Sequence, residues 1–172
     1  MDLLLLGLSH RTASVSARGS VAAWMSGDGA EWLGRMRDEV GVVELAVLAT
    51  CHRVELYAAA RDVPEAESRL RRMIDAARPP RATPDDEIYG RTGVDVAAHL
   101  CRVACGLDSL IVGESEIAGQ VRRAAALARF AGTMGPYLEA AVAGALAASG
   151  RARSETRIAQ GVLSAASASV AL

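Results

Sequence analysis

The chain has 172 residues, a length suited to one compact domain or one domain with a helical appendage rather than two full domains. Hydrophobic residues make up 51% and charged residues 23%, which excludes a disordered, collagen-like or disulfide-dense chain, and a net charge of −1 lacks the bulk signature of a nucleic-acid binder. Aromatic residues, at 3%, are too few for a base-stacking platform, and the longest apolar runs fall short of the roughly 18 residues that cross a bilayer.

Residues 3–8 form an apolar run that predicts a buried first strand leading into a polar loop at Ser9 and His10. No basic segment or small-residue cleavage site accompanies it, so no secretory signal is visible and the cytoplasm is the expected compartment. Trp32, Leu33, Met36 and Val40 recur at helical spacing before Gly41, which predicts an amphipathic helix over 29–40 with a glycine stop. Residues 42–49 read as a strand buried on both faces. Residues 53–60 alternate, with Val54, Leu56 and Ala58 on one side and Arg53, Glu55 and Tyr57 on the other, the pattern of a half-buried strand. Only Thr50, Cys51 and His52 separate these two strands.

A charged helix is predicted over 64–78, stopped by Pro79 and Pro80, followed by a linker over 79–87 and a short edge strand at Ile88 and Tyr89. The order strand, helix, strand, strand, helix, strand predicts an α+β fold, a βαββαβ-like sheet sandwich with helices on one sheet face. After Gly93 the pattern changes, and 94–105, 114–130, 136–153 and 162–172 all read as helices. The expected organisation is a sheet region over 1–92 and a helical subdomain over 93–172 within one catalytic domain.

All 19 basic side chains are arginine, each suited to bidentate pairing with carboxylate or phosphate. Their clusters read as solvated helix faces, with a phosphate-contacting stripe as the alternative. The three cysteines, Cys51, Cys101 and Cys105, are an odd set that argues against a disulfide framework. Cys51 lies just past a strand, beside His52 and two residues before Arg53, where cationic groups favour the thiolate. It is a candidate nucleophile, with His52, His99 and His10 as candidate bases; simple burial of a free cysteine is the alternative. His99, Cys101 and Cys105 do not make a zinc site, because His99 and Cys101 point to opposite helix faces and no C-x-x-C pair is present. Residues 106–121 mix Asp108, Ser109, Glu114, Glu116 and Gln120 into an apolar segment, where Glu114 suits a helix N-terminus and Ser109 a cap.

GLSHRTA at 7–13, LATCHRVELY at 48–57, HLCRVACGLDSLIVGESEIAGQV at 99–121 and RARSETRI at 151–158 stand in the order of the N-terminal part of glutamyl-tRNA reductase, which the chain resembles over nearly its whole length. The resemblance implies an α+β catalytic domain with a helical portion. It also implies that Cys51 attacks the ester joining glutamate to its tRNA, giving a thioester that NADPH reduces to glutamate 1-semialdehyde for tetrapyrrole synthesis. Thr50, Arg53 and Ser109 would hold the glutamyl group, His99 would assist proton transfer, and Gln120 and His10 match further motif positions. His52 replaces the asparagine of the family's TCNR motif and adds a titratable group beside the thiol. Ser14 stands where proline is usual, and Gly19 follows Arg18 where an acidic residue is common.

The sequence stops where the family continues into a Rossmann unit, and neither GDG at 27–29 nor GTMG at 132–135 has the strand–glycine–helix context of a dinucleotide site. The expectation is therefore no cofactor within this chain, NADPH entering only with another domain, no metal and no membrane. The family's dimerisation region is also beyond this sequence, which leaves the oligomeric state open. Three functions follow: a thioester-forming enzyme that releases glutamate to water or an amine; the catalytic part of an NADPH-dependent reductase; or a non-catalytic tRNA-binding or docking module.

Overall fold

A computed structural model describes residues 1–79 and 87–158. β1 (Asp2–Ser9) is followed by α1 (Val15–Met25) and α2 (Ala30–Val40), then by the hairpin of β2 (Glu44–Ala49) and β3 (Arg53–Ala60). α3 (Val63–Ala77) leads to β4 (Tyr89–Thr92), and α4 (Val94–Ala104), α5 (Glu116–Phe130) and α6 (Pro136–Glu155) complete the described chain. The four strands form one antiparallel sheet in the order β2-β3-β1-β4. The fold is α+β, as the sequence predicts. The helix expected over 162–172 and nearly all of the linker over 79–87 lie outside the described residues.

β1 sits between two strands and two helical layers, which explains its unbroken leucine run. Leu4, Leu6 and Leu8 enter one core with Val21 of α1, Met36 of α2 and Ile74 of α3. Leu5 enters the other with Val96 of α4, Ile117 of α5 and Leu138 of α6. Each fully buried leucine stabilises the fold by about 1.5–3 kcal/mol, so a polar residue at any of these positions would be costly.

The first-half helices lie on one sheet face, as expected. The opposite face is covered by α4, α5 and α6, and this corrects the half-buried pattern read for β3: every residue of β3 is buried, including Arg53, Glu55 and Tyr57. Two helices, not one, separate β1 from β2. Residues 15–25 follow what reads as a polar loop, yet Ser14 Oγ accepts the Ala17 N–H at 3.2 Å and starts α1, whose buried side is Ala17, Arg18, Val21 and Met25.

The other helix ends use local chemistry. Gly41 at φ 77° stops α2 in the left-handed conformation that a side chain disfavours. Asp62 caps α3 by accepting the Glu65 N–H at 3.0 Å, with Pro64 in the first turn. α6 is capped from a distance. Glu44 of β2, almost wholly buried, accepts the Tyr137 N–H at 3.1 Å and the Leu138 N–H at 2.7 Å.

Candidate active site

The turn between β2 and β3 presents a thiol. Thr50 N–H donates to the Arg53 carbonyl at 2.8 Å, and Thr50 Oγ1 accepts the His52 and Arg53 N–H groups, each at 3.2 Å. With its hydroxyl engaged, Thr50 closes the turn that holds Cys51 rather than projecting a free group toward a ligand. Cys51 is exposed, and its Sγ lies 3.4 Å from His52 Nδ1. The alternative of a buried Cys51 is thereby set aside.

The end of β1 lies alongside. His10 N–H donates to the His52 carbonyl at 2.8 Å, and the two imidazoles meet edge to face with centroids 5.8 Å apart. His10 Nδ1 is buried without a hydrogen-bond partner among the described residues. Burial, then the charge of Arg11 and of His52 and Arg53, holds the His10 ring below the usual histidine range.

His10 also lines a cavity of about 570 Å³ between the β1 end, β4 and α4. Along α4, Asp95, His99 and Arg102 face it from successive turns. Arg11, Arg53 and Arg91 complete a lining in which four arginines meet two aspartates, Asp95 and Asp108, so the cavity favours an anionic ligand. Arg11 and Arg102 are mostly exposed and both pair with Asp108, at 3.7 and 3.0 Å. Burial opposes ionisation of Asp108, but the Arg102 hydrogen bond and charge hold its carboxyl below the usual range.

Beneath this lining is a buried carboxylate that sequence reasoning did not single out. Glu55 is fully buried; Arg53 Nη1 and His99 Nε2 each lie 2.8 Å from its Oε1, Tyr89 donates to the same oxygen, and Tyr57 donates to Oε2 at 2.6 Å. Burial alone would raise the Glu55 carboxyl, but the His99 hydrogen bond and the Arg53 charge outweigh it and lower it to about 2. Burial and the Glu55 charge push both Tyr57 and Tyr89 upward, so both phenols stay protonated donors. Arg53 also donates from Nη2 to the Asp108 carbonyl at 2.7 Å, tying β3 to the loop after α4.

The remaining sequence candidates sit further out. Ser109 is buried in that loop beside Asp108, and Gln120 is half-buried on α5; neither is among the residues lining the cavity, nor are Thr50, Cys51 and His52, whose turn adjoins it through Arg53 and His10. No hydrogen bond joins His99 to Cys51 among the described residues; the imidazole that touches the thiol is His52. The loop over 106–115 is pinned by Arg153, whose Nη2 donates to the Glu114 carbonyl at 2.6 Å and the Gly113 carbonyl at 3.3 Å. Arg11 and Arg102 fall inside two of the quoted motifs without being singled out there, and Arg91 and Asp95 lie outside them.

Cys101 is half-buried and Cys105 buried, and burial and Cys101 push the Cys105 thiol up. No group of three or more His, Cys, Asp or Glu among the described residues could hold a metal ion, and no described helix is long and apolar enough to cross a membrane. The described sheet is antiparallel throughout, and its strand-to-helix turns at 10–14, 61–62 and 93 do not carry the G-x-G-x-x-G run of a Rossmann-type phosphate site.

Residues 6–156 match the family described as glutamyl-tRNAGlu reductase, N-terminal domain. The chain is 38% identical over 171 residues to glutamyl-tRNA reductase 2 of Anaeromyxobacter dehalogenans, covering 99% of this chain and 36% of that protein. It is 39% identical over 173 residues to glutamyl-tRNA reductase of Syntrophotalea carbinolica, covering 100% and 39%. The solved glutamyl-tRNA reductase from Methanopyrus kandleri superposes with a TM-score of 0.78 at 31% identity, over 98% of this chain and 38% of that one. The chain thus spans under two-fifths of the length of these relatives.

Proposed function

The chain belongs to the glutamyl-tRNA reductase N-terminal domain family, and on that premise we propose that it takes the glutamyl group from glutamyl-tRNA onto Cys51 as a thioester. The observation that carries this is an exposed thiol 3.4 Å from an imidazole, beside an arginine-rich cavity. His52 accepts the thiol proton as the sulfur attacks the ester carbon. The S–C bond forms, the bond from carbon to the terminal ribose oxygen breaks, and the proton passes to that oxygen. Thr50 keeps the turn closed. Arg53 has two of its five N–H donors engaged by Glu55 and Asp108 and supplies others, with Arg91 and Arg11, for the glutamyl carboxylate. His99 and His10 serve the ligand within the cavity, and Ser109 and Gln120 support the loop and helix around it.

The relatives are named reductases, and we extend that outcome to this chain: the acyl-enzyme is the species that a hydride donor consumes, or water or an amine where none is supplied. Sulfur donates weakly to the acyl carbonyl, which leaves its carbon open to any of these nucleophiles. The chemistry assigned to the described residues is confined to acyl transfer.

Incubation with radiolabelled glutamyl-tRNA tests the proposal. Label is expected on the wild-type protein, located at Cys51 by mass spectrometry, and absent in Cys51→Ser. Equal binding of charged and uncharged tRNA with no cysteine-dependent label would instead identify a non-catalytic docking module.

A further inference from the structure

We infer that Glu55 is a positioning residue that fixes the protonation pattern of His99, leaving Nδ1 as the nitrogen that acts on the ligand; the catalytic half of this inference rests on the proposed acyl transfer. The geometry is a single carboxylate reached by three side chains from two strands and one from a helix. Arg53 and Tyr57 approach it from β3, Tyr89 from β4 and His99 from α4. An ionised carboxylate only accepts hydrogen bonds, so the nitrogen 2.8 Å from Oε1 must be the one bearing hydrogen. In its neutral form the ring then carries its lone pair on Nδ1. Glu55 cannot turn away, because it is fully buried and the other three donors hold both of its oxygens. His99 in turn lines the cavity with a side chain only 12% exposed, so the constraint reaches a group placed where the ligand binds. The same carboxylate orients Arg53, which also lines the cavity. Anion binding and proton handling are therefore set by one buried group that itself never touches the ligand.

The first test needs no turnover. In 15N-labelled wild-type protein, His99 Nε2 is expected to carry a proton that exchanges slowly with solvent, and Nδ1 to carry none. A ring protonated on Nδ1 alone, or an Nε2–H that exchanges as fast as that of an exposed imidazole, overturns the inference. This readout holds even if Cys51 accepts no label, which would count against acyl transfer alone. The second test is single-turnover acylation. Glu55→Gln and His99→Gln are each expected to slow the step about 10–100-fold, and only Glu55→Gln, which also releases Arg53, is expected to raise the half-saturating concentration of glutamyl-tRNA. The double variant is expected to be no slower than the slower single one, because both changes remove the same arrangement. Multiplying effects, the mark of a merely structural role for Glu55, sink it. Should Glu55→Gln not fold, Glu55→Asp keeps the charge but retracts the oxygen that both Arg53 and His99 meet; the same slowing supports the inference, and an unchanged rate overturns it.

Discussion

Gly7 faces Glu55 across the β1–β3 ladder with no room for a methyl group between them: a Cβ on Gly7 would stand 2.8 Å from Glu55 Cγ and 2.9 Å from the Val54 carbonyl. Gly7 is also the register partner of Tyr89 on β4, and the same Cβ would lie 3.1 Å from the Tyr89 hydroxyl. β3 and β4 are not neighbours in the sheet, so Glu55 and Tyr89 meet only because the residue of β1 between them has no side chain. Gly7→Ala is expected to destabilise the protein by about 1–3 kcal/mol through overpacking. Urea unfolding measures the loss, and slower Cys51 acylation in the surviving folded fraction would show that the Glu55 cluster has been displaced.

The acid branch of stability carries the mark of Glu55. Its native carboxyl, at about 2, lies below the ordinary value of about 4.3, so the folded state binds the proton less readily than the unfolded chain. The stabilisation from this group is present above about pH 4.3 and is lost as pH falls toward 2, with a full span of roughly 3 kcal/mol. Urea midpoints of wild type and Glu55→Gln, taken at about pH 7, 5 and 3, are expected to converge toward the acid end. A gap that stays constant with pH would contradict the assignment.

The three thiols are expected to react with iodoacetamide in order of access, Cys51 first and Cys105 last, because Cys51 is exposed and burial pushes the Cys105 thiol up. Timed alkylation followed by peptide mass spectrometry reads the order. Cys51→Ser should shift stability by no more than about 0.5 kcal/mol, as expected for an exposed side chain without core contacts.

Glu44 and Gly135 form one device at the start of α6. A Cβ on Gly135 would sit 2.5 Å from Glu44 Oε1, in the space the capping carboxylate occupies. Glu44→Ala and Gly135→Ala are each expected to cost about 1–2 kcal/mol, the loss of an N-terminal cap. Thermal melts should show that the two together cost less than their sum, since either change alone empties the cap.

Arg153→Met should release the Gly113 and Glu114 carbonyls and loosen the loop that carries Asp108 and Ser109. Hydrogen exchange at 106–115 is expected to quicken while exchange in β1 and β3 is unchanged.

Much of this architecture was legible in the residues themselves. Unbroken leucines in β1, the apolar spacing of α2 and the prolines near the starts of α3 and α6 locate those elements, and Cys51 falls in a short turn as its position between two strands requires. α1 was not legible, because its buried side is made of Ala17, Arg18, Val21 and Met25, too short of large apolar groups to form a recognisable stripe. The central omission was Glu55. Alternation in a strand tells polar from apolar sides, but it assumes that the polar side meets water. Here that side is roofed by α4, and the clue available in sequence was the set Arg53, Glu55 and Tyr57, three groups on one face able to satisfy each other. The arginines at the cavity rim come from separate segments, so only the folded chain could gather them.

The division of labour across the sheet bears on how the protein can be dismantled. Arg53 and Glu55 lie before residues 80–86, while His99 and the helices that roof them lie after. A polypeptide split between Pro79 and Glu87 would leave one fragment with an uncovered ion pair and the other with an imidazole lacking its carboxylate. Recovery of the proposed thiol acylation on mixing the fragments would then report their reunion, so that reassembly and chemistry would be read as one event.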